Sequence, residues 1–465
     1  MATPSTPTPH VVIFPFMAQG HILPLLDISK AMASNGVRVT IITTPSNSPF
    51  ILSKTSHYSQ ISLSIIPFPK VEDIPEGCEN VTDLPSLQFF NPFVKATRNL
   101  KQPFEDILAK MSKAGCLPIC VISDMFLGWT VETCRSFGIP RIVSHGMGVL
   151  PMLIAKDGVL HAPYIRSLLD SDNVELLSIP KLPFPLIKAD LPDAIRSYDP
   201  DLISLEIQEA DKNSWGVIVN SFEELEGEFV VALESFFQKG AKAWCVGPTF
   251  LYDQVDQHYE KQSCPYIKWL DKQVGLDVVI YVSFGTQSHI SNTQMDEIAL
   301  GLEMAGQPFI LVERSKTWVP PEGWMERIDE KGLVVRDWVD QRSILSHRAT
   351  GGFLSHCGWN SVLEGLSMGV PLLAWPMGAE QKLNAKYVAM GLGAGLMVPQ
   401  GSLIDRHVIC DGVKGLMEGE RGREARERAK FWSEIAIKAV EKGGSSRRNL
   451  DELVQCLVHR ERRVI

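Results

Sequence analysis

Short apolar runs alternate along the chain with stretches whose apolar residues recur every three or four positions. The first run covers 10–16. The helical pattern after it has one face formed by Ile22, Leu25, Leu26, Ser29, Met32 and Ala33. Asp27, Lys30 and Ser34 fall on other faces of this predicted helix, and Asn35-Gly36 predicts its end. A second run at 37–42 completes a strand–helix–strand unit, which predicts a parallel sheet.

The same alternation continues through two series of predicted strands. The strands are 120–123, 141–143 and 216–220 in the first series, and 278–282, 309–312, 332–335, 352–355 and 371–375 in the second. Proline-punctuated stretches at 68–100 and 151–212 interrupt the first series and predict long, irregular functional loops. Buried strands that alternate with helical spacers predict an α/β fold.

The length of the chain predicts two domains, because 465 residues are too many for one hydrophobic core. A polar stretch bounded by glycine and proline begins near residue 244, and we expect the linker itself at 248–265. The predicted domains are therefore 1–247 and 266–444. The last residues, 445–465, carry the pattern of a final helix.

Composition narrows the classes of function. The chain is 45% hydrophobic and 21% charged, with a net charge of −9, so we expect a soluble protein that does not bind nucleic acid. No run of 18 apolar residues or signal segment is visible, which predicts no membrane span and a cytoplasmic location. Nine scattered cysteines with no metal-type spacing predict reduced thiols.

Residues 338–381 concentrate the chemistry. Trp338 opens the segment, the strand-like run 352–355 leads into His-Cys-Gly-Trp-Asn-Ser at 356–361, and a helical pattern follows. A small-residue loop between a strand and a helix is an anion site, because free backbone N–H groups and the helix dipole face one point. Glu380-Gln381 at the end of the segment can hydrogen-bond several hydroxyls, as a sugar requires.

This segment resembles the signature box of plant UDP-sugar-dependent glycosyltransferases of family 1. The residues in register are Trp338, Gln341, Leu345, His347, Phe353, the 356–361 run, Glu364, Gly369-Val370-Pro371, Pro376 and Gln381. The chain departs from the box at Asp340, where the family usually has proline, and at Glu380, where aspartate is commoner. The resemblance implies the GT-B arrangement, two doubly wound Rossmann-like domains facing a cleft, with 445–465 returning to the N-terminal domain.

The resemblance also implies a UDP-sugar site in the C-terminal domain. Its expected donor-binding residues are Ser283, Thr286, Trp338, Val339, Gln341, His356, Trp359, Asn360, Ser361, Glu364, Glu380 and Gln381. Taken alone, two of these have equally ordinary structural roles. Trp338 could belong to a core, and Ser361-x-x-Glu364 is also the pattern of a helix capping box.

The N-terminal domain is expected to bind the acceptor and handle the proton. His21 lies at or just before a predicted helix N-terminus, which favours the neutral imidazole that a general base needs. Asp124 follows the strand 120–123 and could hold one ring nitrogen of His21. Candidates for the acceptor pocket, near the predicted loops, are Phe16, Phe90, Phe126, Met147 and Met377.

Together with these residues, the resemblance implies a hexosyltransferase that moves glucose from UDP-glucose, with inversion, to a small lipophilic plant metabolite such as a flavonoid or another phenolic. UDP-glucose is then a co-substrate, and we expect no bound cofactor or metal and a monomeric protein. Transfer to carbon of a phenolic is an alternative outcome of the same site. A UDP-sugar epimerase or hydrolase, and a non-catalytic UDP-sugar-binding protein, are alternatives of other classes.

Overall fold

The structure is a computed structural model of the chain. It describes residues 8–176, 178–179, 181–196, 202–252, 264–286, 290–315 and 317–464. Most of the predicted linker, 253–263, lies outside the described residues.

Two parallel sheets form the frame of the molecule, as the strand pattern predicts. The strands of the first are β1 (His10–Phe14), β2 (Arg38–Thr43), β3 (Ile61–Ile65), β4 (Cys120–Asp124), β5 (Arg141–Ser144), β6 (Gly216–Val219) and β7 (Lys242–Cys245). Those of the second are β8 (Val279–Ser283), β9 (Phe309–Val312), β10 (Gly332–Val335), β11 (Thr350–Ser355), β12 (Leu372–Ala374) and β13 (Gly395–Met397). The spatial orders are β3-β2-β1-β4-β5-β6-β7 and β10-β9-β8-β11-β12-β13.

Helices connect the strands. In the first part of the chain they are α1 (Gln19–Ser34), α2 (Ser48–Thr55), α3 (Phe90–Ala96), α4 (Lys101–Lys113), α5 (Thr130–Ser136), α6 (Val149–Leu160), α7 (Ala162–Ser167), α8 (Asp193–Arg196), α9 (Leu202–Lys212) and α10 (Glu223–Glu234). In the second part they are α11 (Pro265–Asp271), α12 (Asn292–Ala305), α13 (Trp324–Arg327), α14 (Gln341–Leu345), α15 (Trp359–Ser367), α16 (Gln381–Lys386), α17 (Arg406–Met417), α18 (Glu420–Val440) and α19 (Ser445–Val464). Among the described residues, no helix is both long and apolar enough to cross a membrane.

Both sheets reverse their strand order at an equivalent place. The reversal falls between β1 and β4 in the first sheet and between β8 and β11 in the second. Successive connections leave such a point in opposite directions, so a crevice opens outside the carboxyl ends of the two strands. Each sheet therefore offers one ligand crevice.

Three strands have no counterpart in the sequence prediction, and all three lie at sheet edges. They are β3, β7 and β13. An edge strand can be short and half exposed, and β3 shows this in its alternating sequence Ile-Ser-Leu-Ser-Ile and its partly exposed side chains. The polar stretch predicted to begin near residue 244 is corrected here, because Trp244 and Cys245 are buried in β7.

The predicted irregular stretches contain several helices. Residues 151–212 contain most of α6 and all of α7, α8 and α9, and 68–100 contains α3. Helix α6 is apolar on nearly all sides and mostly buried, so it lacks the alternation by which a surface helix is recognised. The proline residues of these stretches are compatible with helices. Pro163, for example, stands in the first turn of α7, where no backbone N–H donor is needed.

Helix α1 has no solvent-facing polar stripe. Its apolar side packs on the first sheet, and Asp27 and Lys30, on other faces of the helix, are only 3% and 5% exposed. Arg342 of the second part of the chain binds the Asp27 carboxylate, and the Lys30 ammonium lies 5.8 Å from the centre of the Tyr58 ring. The final helix α19 packs its leucines 450, 453 and 457 into the core of the first sheet. The domain boundaries themselves stay a prediction.

Candidate active site

A cavity of about 730 Å³ lies between the two sheets, and both crevices open into it. The first sheet contributes residues that include those after β1, β4 and β5, and the second contributes residues after β8, β9, β10, β11 and β12. All the predicted donor-binding residues line this cavity, namely Ser283, Thr286, Trp338, Val339, Gln341, His356, Trp359, Asn360, Ser361, Glu364, Glu380 and Gln381. The candidate general base His21 lines it as well.

His21 and Asp124 meet at the reversal point of the first sheet. The His21 Nδ1 atom lies 2.7 Å from Asp124 Oδ2. The other carboxylate oxygen, Oδ1, accepts a hydrogen bond of 3.0 Å from the backbone N–H of Phe126. Because both oxygens of this buried carboxylate are engaged, Asp124 is fixed in orientation. It holds the imidazole through Nδ1 and leaves Nε2 for a ligand in the cavity.

The charge environment of His21 differs from the one predicted. The helix begins at Gln19, so His21 stands in its first turn. Burial lowers the pKa of His21, but the carboxylates of Asp124 and Glu380 raise it, and the net pKa lies above the ordinary 6.5. The two carboxylates therefore favour the protonated imidazole, opposite to the effect predicted for the helix N-terminus.

An aromatic wall surrounds the His21 ring. Phe126 lies 5.5 Å from it between ring centroids, and Phe90 packs edge-on against Phe126 at 5.3 Å. Phe90, Phe126 and Met147 line the cavity as candidates for the acceptor pocket. Phe16 does not, because it is fully buried behind these rings. Met377 packs instead on the core beneath the second sheet, so both are corrected as pocket residues.

The reversal point of the second sheet has the form of an anion site. Strand β11 ends at Ser355, His356 follows, and α15 begins at Trp359. The first bond of that helix runs from the N–H of Val362 to the carbonyl of Gly358, so the preceding N–H groups have no partner within the helix. These donors and the helix dipole favour a phosphate at this point.

His356 lies tightly between two loops of this anion site. A Cβ atom at either Gly285 or Gly358 would stand 2.6 Å from its Nε2 atom, so glycine is required at both positions. Burial lowers the pKa of His356 to about 4, which makes the ring neutral at pH 7. Its buried Nδ1 atom has no hydrogen-bond partner in the protein. The ring is therefore a neutral group placed beside the anion site.

Backbone strain is concentrated in the same loop. Cys357 is fully buried with a φ of 62°, a conformation that costs energy for a residue with a side chain. Its N–H is bound by Ser355 Oγ at 3.1 Å, and its carbonyl accepts from Asn384 Nδ2 at 2.9 Å. Ala379, just before Glu380, is also left-handed, with a φ of 48°. Both strained residues flank donor-site side chains.

Trp338 is a surface of the cavity and does not belong to a core. Its side chain is 47% exposed, and the Arg314 guanidinium lies 5.0 Å from its ring. Asp340, the departure from the family pattern, has a φ of −78°, which is within the range of proline. The local turn is thus kept, and the N–H that proline lacks donates to the Tyr266 hydroxyl at 3.2 Å.

A hydrogen-bonded network surrounds Glu364. Its Oε2 accepts from Gln341 Nε2 at 2.7 Å, and its Oε1 accepts from Arg342 Nε at 2.8 Å. Gln341 Nε2 also donates to Ser361 Oγ at 3.0 Å. The capping-box interpretation of Ser361 and Glu364 fails, because the N-cap of α15 is Gly358 and Ser361 already lies inside the helix. Both side chains are thus available to the cavity.

The remaining donor-site residues form its far end. Trp359 is 2% exposed and donates from Nε1 to the Asn220 carbonyl at 2.7 Å, which ties it to the first part of the chain. The Gln381 side-chain oxygen accepts from the N–H groups of Met377 and Gly378, so its amide NH₂ remains for a ligand. Burial raises the pKa of Glu380.

Several polar cavity residues were not anticipated from the sequence. They are Asp27, His145, Lys156, Tyr281, Arg314 and Arg342. Asp27 and Arg342 pair across the two halves at 2.7 Å, and His145 and Lys156 both bind Asp211, at 2.8 and 2.6 Å. One signal was available, since His145 directly follows the strand β5, at the same sheet edge as Asp124.

The fold and the site together define a nucleotide-sugar glycosyltransferase. Residues 258–424 match the family model described as UDP-glucoronosyl and UDP-glucosyl transferase, and residues 9–152 match the glycosyltransferase N-terminal domain. The chain is 40% identical to UDP-glycosyltransferase 90A1 of Arabidopsis thaliana, covering 97% of each chain. It is 37% identical to scopoletin glucosyltransferase of Nicotiana tabacum, covering 96% of this chain and 97% of the other.

A solved structure agrees over almost the whole chain. The structure of Phytolacca americana UGT2 with UDP-2fluoro-glucose and pterostilbene superposes with a TM-score of 0.81 at 26% identity, covering 97% of this chain and 100% of that one. The chain belongs to the plant family 1 UDP-glycosyltransferases, and the GT-B prediction is confirmed.

Proposed function

We propose that the protein transfers glucose from UDP-glucose, with inversion, to a hydroxyl of a small lipophilic phenolic acceptor. The observation that carries this proposal is the His21–Asp124 pair, 2.7 Å apart, in the same cavity as the donor-site network. Base and donor site lie at the reversal points of two facing sheets, so an acceptor and an anomeric carbon can meet between them.

The acceptor hydroxyl would be activated by His21. With Nδ1–H donated to Asp124, the Nε2 lone pair takes the hydroxyl proton as the oxygen bonds to the anomeric carbon. The bond from that carbon to the diphosphate oxygen breaks, and UDP leaves with the electron pair. Asp124 stabilises the imidazolium that forms. A single displacement from the opposite face converts an α-linked donor into a β-glucoside.

The donor would be held by the Glu364 network and the α15 N-terminus. An ionised carboxylate accepts about four hydrogen bonds, and Gln341 and Arg342 use two of them. The remaining lone pairs match the two ribose hydroxyls. Uracil would stack on the exposed Trp338 ring with Val339 beside it. The diphosphate would receive hydrogen bonds from Ser283, Thr286, Ser361 and the neutral His356, together with the free N–H groups of α15.

Glucose is the proposed sugar because of the polar groups beyond the diphosphate. The Gln381 amide and the Glu380 carboxylate offer donors and acceptors to adjacent hydroxyls, with Trp359 and Asn360 on the other side. Two similar proteins support the same assignment. One is named scopoletin glucosyltransferase, and the other was solved in complex with UDP-2fluoro-glucose.

The acceptor half of the cavity is apolar, which favours a lipophilic acceptor. Its lining includes Phe90, Met125, Phe126, Met147, Met152, Val159, Ile195 and Ile207. Scopoletin and pterostilbene, named for two of the similar proteins, are both phenols. A phenol is acidic enough to give up its proton to an imidazole as it attacks.

A mass-spectrometric screen of UDP-glucose against a panel of phenols and terpenoids tests the proposal. The expected product is a monoglucoside whose NMR spectrum shows a β-linkage to oxygen. A new bond to carbon would indicate a C-glycosyltransferase. Consumption of UDP-glucose at the same rate without any acceptor would indicate a hydrolase or epimerase, and binding of UDP with no turnover would indicate a binding protein.

A further inference from the structure

Arg342 bridges the two halves of the molecule. Its guanidinium donates to Asp27 of α1 through Nη2 at 2.7 Å and Nη1 at 3.3 Å. Its Nε donates to Glu364 of α15 at 2.8 Å. Asp27 and Glu364 are both buried, and burial lowers the pKa of Arg342 less than these two carboxylates raise it. One side chain thus connects a helix of the acceptor half to the proposed ribose ligand.

The same helix carries His21 in its first turn. A second bond ties its N-terminus to the donor half, because Asn360 Nδ2 donates to the Gly20 carbonyl at 2.7 Å. Phe250, in the turn Thr249–Tyr252 that packs against α1, covers the Arg342 guanidinium at 4.7 Å. The position of His21 relative to the donor site therefore depends on contacts at two places along α1, at Gly20 near its N-terminus and at Asp27 near its middle.

We propose that Arg342 is a positioning residue that aligns His21 with the bound donor by holding α1 and Glu364 in one ion-paired unit. The proposal rests on the proposed function, since it needs His21 as base and Glu364 as ribose ligand. Arg342 takes one lone pair of Glu364 and leaves others for hydroxyls, so donor binding and the bridge are compatible. Occupancy of the ribose site then stiffens the bridge, and the bridge fixes the base.

The physical reason for an effect on rate is geometric. Transfer requires the hydroxyl oxygen, the base and the anomeric carbon within reacting distance, and a displacement of about 1 Å costs on the order of 100-fold in rate. Loss of the Asp27 contact releases α1 at its middle, while Arg342 still holds Glu364. Binding of the nucleotide is then retained, and the turnover number falls.

The test compares two isosteric variants of the full-length protein with the wild type. Asp27→Asn removes the charge that Arg342 binds on α1. Asp190→Asn is the matched control, because Asp190 pairs with Lys386 across the same two halves but contacts neither α1 nor Glu364. For each, kcat and KM for UDP-glucose are measured with a phenolic acceptor, the Kd of UDP by calorimetry, and the melting temperature by circular dichroism.

We expect Asp27→Asn to lower kcat by about tenfold or more, with KM for UDP-glucose and Kd of UDP within about twofold of wild type. Asp190→Asn should keep kcat within about twofold. An unchanged kcat in Asp27→Asn overturns the proposal. An equal fall in both variants also overturns it, because a general loosening of the two halves would then explain the loss.

A second variant covers the case in which Asp27→Asn does not fold. Arg342→Lys keeps the charge but cannot reach both carboxylates with a planar fork, so it should lower kcat and raise KM for UDP-glucose together. Wild-type kinetics in a folded Arg342→Lys protein would contradict the bridge. If the wild-type protein binds UDP but glucosylates no acceptor, the proposed function itself is wrong. If the wild-type protein is active and Asp27→Asn does not change its kcat, only the proposed role of Arg342 is wrong.

Discussion

The two crevices occupy equivalent positions on their sheets but are built in opposite ways. The donor side is polar, since Glu364, Gln341, Arg342 and Ser361 form a network of hydrogen bonds with one another. The acceptor side is a wall of aromatic and methionine side chains around two separate polar groups, His21 with Asp124, and His145 and Lys156 with Asp211. A fixed polar network is suited to bind one particular nucleotide, whereas an apolar wall can accommodate lipophilic acceptors of many shapes.

This difference between the two crevices determines where substrate selectivity can reside. A site that hydrogen-bonds its ligand strongly rejects an analogue that lacks the matching group, because buried polar atoms then lose their partners. An apolar pocket discriminates weakly between similar acceptors. We therefore expect strict donor recognition and broad acceptor recognition, and separate mutations should break the two independently.

The largest expected effect belongs to the base. His21→Ala removes the proton acceptor and should lower kcat for transfer by at least about 100-fold, the usual scale for general-base catalysis. The Kd of UDP, measured by calorimetry, should stay within about twofold, because the donor network does not include His21.

His407→Ala is a matched control, since His407 is exposed at the start of α17, away from the cavity. Its kinetics should equal those of the wild type. Retention of transfer by His21→Ala would show that His21 is not the base.

The next effect belongs to the ribose carboxylate. Glu364→Gln replaces charged hydrogen bonds, each worth about 1.5–3 kcal/mol, by weaker ones. UDP affinity should fall by about 10- to 100-fold, with a smaller change in kcat. Comparison of UDP with 2′-deoxy-UDP sharpens the result, because wild type should prefer UDP and the variant should discriminate less. Equal discrimination in both proteins would place the ribose elsewhere.

Stacking on Trp338 should contribute less. Base–aromatic stacking is worth about 1–3 kcal/mol per base, so Trp338→Ala should weaken UDP binding by about tenfold. Trp338→Phe keeps an aromatic face and should recover most of the affinity. If Trp338→Ala binds UDP as the wild type does, the exposed ring serves another purpose, such as holding the Arg314 guanidinium 5.0 Å away.

The donor side was the more predictable from the sequence, for a physical reason. His356, Ser361 and Glu364 are close in the chain, and a strand end followed by a helix start brings them to one point with little help from the rest of the fold. The sequence pattern of strands likewise predicts two parallel sheets, because central strands are continuous apolar runs. Edge strands such as β3 and β13 escape this reasoning, since they bury less.

The contacts between the halves could not be predicted in the same way. Asp27 and Arg342 are 315 positions apart, and on its own helix Asp27 has the pattern of a solvent-facing residue. Phe16 was misplaced for a related reason, because position near a loop does not distinguish the cavity wall from the layer behind it. The raised pKa of His21 depends partly on Glu380, which only the packed structure brings near.

The influence of Glu380 on the pKa of His21 gives the smallest expected effect. It is also the effect most specific to the contact between the donor side and the acceptor side. The base must be deprotonated, so transfer should decline as pH falls through the pKa of His21, which lies above 6.5. Glu380→Gln removes one of the negative charges that raise this pKa. The acid limb of the kcat/KM profile should then move to lower pH, whatever the variant does to the maximal rate.

Glu297→Gln is the control for this shift. Glu297 also carries a negative charge, but it pairs with Arg406 at 2.9 Å and does not line the cavity. Its acid limb should coincide with that of the wild type. A limb that stays in place in Glu380→Gln would mean that the Glu380 charge of the donor half does not tune the base.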